Sequence, residues 1–303
     1  MESKTKKTIL FLAIKVLVSS LLLVVVFNKT GLRNILLHLQ ATDLRFFFLA
    51  IALHTFILYI ATLRWGLLLE GKHSLGKLYS LYLMGSFFNN FLPGAIGGDA
   101  VKAYYLYRGT QQAGSSMGSV FMDRYIGLFA LLTMGLISGL VAFNDLKHLG
   151  MHWVIPSLFL LFIAGSLLFF RLKIGQRFSA VSDFYEYFHR AIRNKNMLLK
   201  AYGLSFVVQS LTLLMIYLIG LGIGQKLSFT ALFVFVPIVI LITMIPLSIS
   251  GLGIRESAFV VLFGLTGVPA EESMSISFLW FLSIASASLI GLVEYIRLRT
   301  KKV

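Results

Sequence analysis

The chain alternates long apolar runs with short connections that are mostly basic, and the length of the runs sets the first constraint. About 20 apolar residues cross a hydrocarbon core of about 30 Å. Six segments reach that length: Thr8–Phe27, Leu44–Leu68, Gly118–Phe143, Trp153–Phe170, Leu199–Leu221 and Ser273–Tyr295. Two further apolar stretches are interrupted. Lys77–Arg108 breaks at Asn89-Asn90-Phe91-Leu92-Pro93-Gly94-Ala95-Ile96-Gly97-Gly98-Asp99, and Leu227–Val268 breaks at Pro246-Leu247-Ser248-Ile249-Ser250-Gly251-Leu252-Gly253-Ile254-Arg255-Glu256. The arms of the first would rise about 24 Å and about 15 Å as helices, too little to cross. That segment is expected to be a re-entrant hairpin whose non-helical tip is buried in protein or lines a wet cavity. The second has longer arms and reads either as a hairpin or as two short crossing helices.

The expected fold is therefore an all-α polytopic integral membrane protein, a single transmembrane domain over residues 1–303 with about six full spans and two Gly/Pro-broken re-entrant hairpins. The order helix, helix, hairpin, helix occurs twice, in halves of roughly 1–147 and 148–303. Three spans per half invert the second half relative to the first, so the hairpins would enter from opposite sides. Paired, interrupted apolar segments at matching places are the sequence mark of an inverted-repeat transporter.

Charge fixes the expected orientation. With the N-terminus inside, that side holds Lys4, Lys6, Lys7, Lys72, Lys77, Lys102, Arg108, Arg171, Lys173, Arg177, Arg190, Arg193, Lys195, Lys200, Arg297, Arg299, Lys301 and Lys302, about 18 of the 27 basic residues. The outside receives Lys29, Arg33, Arg45, Lys147 and Lys226. This positive-inside bias puts both termini in the cytoplasm. The net charge of +15 is thus explained by topology, and no nucleic-acid partner is expected. Thr8–Phe27 is longer than a signal-peptide core and no small-x-small cleavage site follows, so it reads as a retained first helix.

Composition agrees: 58% of residues are hydrophobic and 13% charged, against about 25% charged in soluble domains. Cysteine is absent, which excludes disulfides and thiolate chemistry. The histidines are scattered without an H-E-x-x-H motif, so neither a metal site nor a cofactor is expected. Outside the spans, Ile174, Phe178, Val181, Phe184, Phe188 and Ile192 recur at helical spacing and predict a helix on the cytoplasmic membrane surface. Leu32, Ile35, Leu36 and Leu39 predict a smaller one on the outer side. Gly135-x-x-x-Gly139 predicts close helix packing.

Ionisable groups at membrane depth are costly, which makes each a candidate for function. Asp99, Lys102, Asp123, Arg124, Arg255 and Glu256 are the main ones. The first tip offers backbone N–H groups at Gly94, Gly97, Gly98 and Asp99 near a helix N-terminus, a setting that favours an anion such as phosphate. Asp99 instead either caps that helix or pairs with Lys102, Arg124 or Arg255. The second tip offers Ser248, Ser250, Gly251 and Gly253, with Arg255 as a planar donor for phosphate and Glu256 to neutralise it when empty. Asp123 and Arg124 point about 100° apart on a helix. Asp123 is expected to engage a base elsewhere and Arg124 to face the cavity or Asp99. The competing reading makes all these charges structural ion pairs. Arg64-Trp65 reads as a headgroup and aromatic-belt anchor. Lys15 lies close enough to a helix end to snorkel. His54 reads as a hydrogen-bonded packing group, with proton relay as the alternative.

Phe91-Leu92-Pro93-Gly94-Ala95-Ile96-Gly97-Gly98-Asp99-Ala100-Val101-Lys102 resembles the PG-x-x-GGD-x-x-R/K signature of the flippase-like family of lysylphosphatidylglycerol synthase membrane regions. Arg64-Trp65…Leu68, Asp123-Arg124…Gly127 and Pro246…Ser250-Gly251-Leu252-Gly253…Arg255-Glu256 look like its other motifs, in the same order. Lys102 stands where Arg is commoner. The resemblance implies a stand-alone member in a bacterial or archaeal inner membrane, without the cytosolic synthase domain. It implies a lipid flippase or transporter for an anionic, phospholipid or polyprenyl-type lipid, rather than an enzyme. An accessory subunit of a lipid-synthesis pathway partnered by its enzyme, or a membrane lipid transferase, are the alternatives. The expected binding residues are Asn90, Pro93, Gly94, Gly97, Gly98, Asp99, Lys102, Asp123, Arg124, Pro246, Ser248, Ser250, Gly251, Gly253, Arg255 and Glu256.

Overall fold

The computed structural model describes residues 17–22, 24, 32–71, 73–91, 97–172, 179–245, 248 and 250–300. Most of the expected first span, Thr8–Phe27, and the tip residues Pro93, Gly94 and Pro246 lie outside them. Residues 17–22 and 24 are helical. Twelve further helices are described: α1 (Leu32–Ala41), α2 (Leu44–Leu68), α3 (Leu75–Phe91), α4 (Gly97–Thr110), α5 (Ala113–Val141), α6 (Phe143–His148), α7 (Val154–Leu172), α8 (Ser179–Arg193), α9 (Lys195–Ile223), α10 (Phe229–Met244), α11 (Ile254–Gly264) and α12 (Ala270–Thr300). Five of them, α2, α5, α7, α9 and α12, are long and apolar enough to cross a membrane. The protein is a multi-pass, all-helical membrane protein.

Both interrupted segments form pairs of short helices. α3 and α4 flank the first break, and α10 and α11 flank the second. α11 has 11 residues, a rise of about 17 Å, so neither arm of the second pair crosses the hydrocarbon. Of the two readings of its longer apolar stretch, arms this short favour the hairpin over two crossing helices. Local chemistry sets the ends. The Asp43 side chain accepts from the Arg45 N–H at the start of α2, and that of Asn194 from the Met197 N–H at the start of α9. α9 closes on Gly224 at φ 93°, with the Gln225 N–H returning to the Gly220 carbonyl. Pro237 lies inside α10 and forfeits one helical hydrogen bond, which membrane helices tolerate when neighbours pack around the gap.

Helix partners follow a reciprocal pattern. α2 packs along α9, α5 packs on α10, and α12 packs on α3. The last span of each half therefore covers the first hairpin arm of the other half. The main apolar cluster lies between them, with Phe235, Phe259, Phe263 and Ile216 nearly or fully buried. Gly135 faces Pro237 and Ile155 at ordinary contact distance, so it sits in the packing without a tight approach. The tight approaches are elsewhere: a Cβ on Gly98 would meet the Gly85 carbonyl oxygen, and one on Gly291 the Leu83 carbonyl oxygen.

The amphipathic helix α8 forms, and Tyr185, Tyr187 and Phe188 are buried against protein while Ile192 of the expected stripe stays exposed; Ile174 and Phe178 lie outside the described residues. Gly114 and Gly118 of α5 leave the space, since a Cβ on either would collide with Asp183 or Tyr187. The Tyr187 hydroxyl donates to the Leu68 carbonyl at 2.5 Å. Burial pushes the Tyr187 phenol up, away from ionisation. α1 forms over the Leu32, Ile35, Leu36 and Leu39 stretch, with Ile35 packed on Met274.

Candidate functional site

The two breaks touch. Ser250 Oγ, in the second, donates to the Asn90 carbonyl at the end of the first, at 2.6 Å. Beside this junction a cavity of about 300 Å³ is lined by polar groups from five helices, among them His54, Arg64, Tyr82, Ser86, Asn89, Asn90, Lys102, Asp123, Arg124 and Gln209.

The first tip is built by a backbone-to-backbone approach of α3 and α4 at Gly85 and Gly98. Asn89 Oδ1 accepts from the Gly98 N–H at 2.8 Å, so a side chain already occupies one of the free donors at the start of α4. Asp99 lies in the first turn and does not cap it. It pairs with Lys102 at 3.1 Å and Arg124 at 2.6 Å. The Lys102 stem passes over Gly85, within 2.7 Å of where its Cβ would stand, and this lets a buried ammonium reach back toward Asp99 and Asp123.

Asp123 and Arg124 diverge as expected. Asp123 receives Arg64 Nε at 2.7 Å and the Tyr82 hydroxyl at 2.9 Å. Arg64 also donates to Ser205 at 3.0 Å. The reading of Arg64-Trp65 as a headgroup anchor is overturned: the Arg64 side chain is 6% exposed and its partner Asp123 1%. Trp65 is fully buried, its indole donating to Ser119 and its ring facing the Lys102 ammonium at 5.4 Å. At membrane depth the desolvation of a guanidinium outweighs any anchoring role unless the charge is paired. The Arg124–Asp99 pair is different. Arg124 is 42% exposed and Asp99 12%, so this pair alone among the described intramembrane ion pairs opens widely to a cavity. The five groups Arg64, Lys102, Arg124, Asp99 and Asp123 carry three positive and two negative charges, an excess that favours an incoming anion.

At the second tip, Ser250, Gly251 and Gly253 have φ of 51°, 78° and 83°. The glycines take the left-handed region at no cost, whereas Ser250 is held there by its bond to Asn90. Glu256 makes no salt-bridge contact with Arg255 among the described residues. Its carboxylate accepts from the Gly253 N–H at 2.7 Å and from Ser277 at 3.2 Å, closing the start of α11. Arg255 donates to the Ser250 carbonyl at 2.7 Å and stacks over Phe281 at 5.0 Å and Trp280 at 5.5 Å. It is 6% exposed and does not line the cavity that holds Arg124. Ser248 Oγ is buried with no hydrogen-bond partner. The first tip's Asn90 and Lys102, with Asp123 and Arg124, thus line one cavity, with Asp99 joined to it through Lys102 and Arg124, while Arg255 and Glu256 brace the second tip. Gly97 and Gly98 begin α4.

Residues outside the expected set complete the cavity. Tyr82, Ser86 and Asn89 follow i, i+4, i+7 spacing on α3, and Ser205 and Gln209 follow i, i+4 on α9, a polar stripe that the sequence carries. His54 lines the cavity with Nε2 unpartnered. His148 and His152 stand four apart, but a turn through Gly150 at φ 69° separates them. Among the described residues no three His, Asp or Glu gather to hold a metal ion.

The sequence profile describing the lysylphosphatidylglycerol synthase TM region matches residues 12–291. Two relatives from Methanothermobacter thermautotrophicus, each named UPF0104 membrane protein, are 25% and 26% identical; the first match covers 78% of this chain and 80% of the relative, the second 88% and 87%. A UPF0104 membrane protein of Pyrococcus horikoshii is 25% identical, covering 82% of this chain and 85% of the relative. No solved structure matches.

Proposed function

The chain belongs to the lysylphosphatidylglycerol synthase transmembrane-region family, and on that premise we propose that it is a lipid flippase that moves a phosphate-bearing lipid between leaflets. The observation that carries this reading is the half-open Arg124–Asp99 pair at a cavity with excess positive charge, beside the junction of two broken helices. A guanidinium already released from full desolvation can exchange a carboxylate for a phosphate with little reorganisation. The closed Arg64–Asp123 pair fixes the frame around it, and Lys102 holds Asp99 in place when the phosphate leaves.

In this reading the halves 1–147 and 148–303 form an inverted repeat, and the reciprocal packing of α5 on α10 and α12 on α3 gives each half a surface on which to rock. The basic residues put both termini in the cytoplasm of a bacterial or archaeal cell. The lipid leaves chemically unchanged, so no catalytic residue is assigned.

Arg124→Gln and Asp99→Asn are each expected to lower translocation of a fluorescent phosphatidylglycerol in proteoliposomes by about tenfold or more, the effect of losing one charge-assisted contact of about 1.5–3 kcal/mol. Both should elute as the wild type does on size exclusion. Wild-type rates in both variants would remove this site.

A further inference from the structure

A second, larger cavity lies apart from the charge cluster. It measures about 900 Å³ and runs between α5, α7, α8 and α9. Tyr125, Phe129, Leu167 and Phe170 line it, and Arg171 and Lys195 stand exposed at one end, where α7 stops and α9 starts. Among the described residues no Asp or Glu is in its lining. α7 is the least embedded span, with 6% of its most apolar stretch buried. It leans on α5 through rings, Tyr125 against Phe162 at 5.1 Å and Phe129 against Phe159 at 6.0 Å. On its other flank a cavity of about 350 Å³ includes Arg124 and shares Tyr125, Ser166 and Phe170 with the large one.

We propose that this groove is a docking site for one anionic phospholipid, with its phosphate at Arg171 and Lys195 and its acyl chain along Tyr125, Phe129 and Leu167. Any apolar hollow in a membrane is covered by lipid. Here the two cations, at the end of a described lining that contains no acid, select the headgroup, and the concave aromatic lining retains the chain. The docked lipid stands one helix away from Arg124, on the leaflet that the charge bias makes cytoplasmic. The site rests on the lipid reading above but uses different residues, so the two can fail separately.

The test is native mass spectrometry of the full chain titrated with phosphatidylglycerol and with phosphatidylcholine of matched chains. The wild type is expected to bind one phosphatidylglycerol in preference to phosphatidylcholine. The Arg171→Gln/Lys195→Gln double variant should lose that preference by about 25-fold, since each surface cation is worth roughly fivefold toward an anionic lipid. Leu167→Trp, at a lipid-facing position that leaves folding intact, should fill the groove and weaken both lipids. Unchanged preference in the double variant, meaning annular lipid only, or unchanged binding in Leu167→Trp overturns the docking site. Selective binding by a wild type that moves no lipid upholds the docking site and overturns the flippase reading.

Discussion

Replacing Gly98 with alanine is expected to destabilise the protein by at least about 3 kcal/mol, the upper end for inserting a methyl group into a filled space. The new Cβ would stand 1.8 Å from the Gly85 carbonyl oxygen and 2.7 Å from its carbon. Both are backbone atoms of α3, so no rotamer change relieves the clash and the two hairpin arms must part. Parting them moves Asp99 and Lys102, the next residues of the same turns, away from Arg124 and Asp123. Gly76→Ala on the same α3 is the control, because nothing lies within 4 Å of its Cβ. There alanine should be neutral or stabilising by up to about 1 kcal/mol through helix propensity. Thermal unfolding of both purified variants checks the pair, and equal midpoints would show that the arms are not in contact.

The second large effect is expected at Asp123. Asp123→Asn removes the charge on which Arg64 at 2.7 Å, Tyr82 at 2.9 Å and Lys102 at 3.9 Å converge. Breaking a buried pair by deleting one partner costs about 3–5 kcal/mol, because the remaining charge stays buried uncompensated. Removing both charges, in Arg64→Met/Asp123→Leu, should recover most of the loss. Chemical denaturation of the single and double variants measures this directly. If Asp123→Asn unfolds at the wild-type midpoint, the pair is not the closed frame described above. The contrast with Asp99→Asn is informative: its partner Arg124 is already half in contact with the cavity, so the loss there should fall on transport more than on stability.

The sequence carried the skeleton well because its signals are collective. Leu44–Leu68 ends where its apolar run ends, and the two interrupted segments become paired short helices because glycine and proline break the repeat that a span requires. The divergence of Asp123 and Arg124 follows from helical geometry alone. What escaped were facts about partners distant in the chain. Arg64 looked like an interfacial anchor because Trp65 follows it; only the fold brings Asp123 and Ser205 to the guanidinium. Glu256 looked like the counter-ion of its neighbour Arg255, but consecutive residues on a helix diverge, and Glu256 turns back to the Gly253 N–H. The amphipathic α8 showed an apolar face without showing that Gly114 and Gly118 would receive it.

The central claim is that the two broken helices meet and that their movement carries the lipid. The chain has no cysteine, so Asn90→Cys/Ser250→Cys reports on that junction without background. Ser250 and Asn90 are in hydrogen-bond contact at 2.6 Å. Phosphatidylglycerol translocation by this variant should fall to the protein-free rate once oxidised and return on reduction. Complete cross-linking with an unchanged rate, or no cross-link at all, would contradict the account.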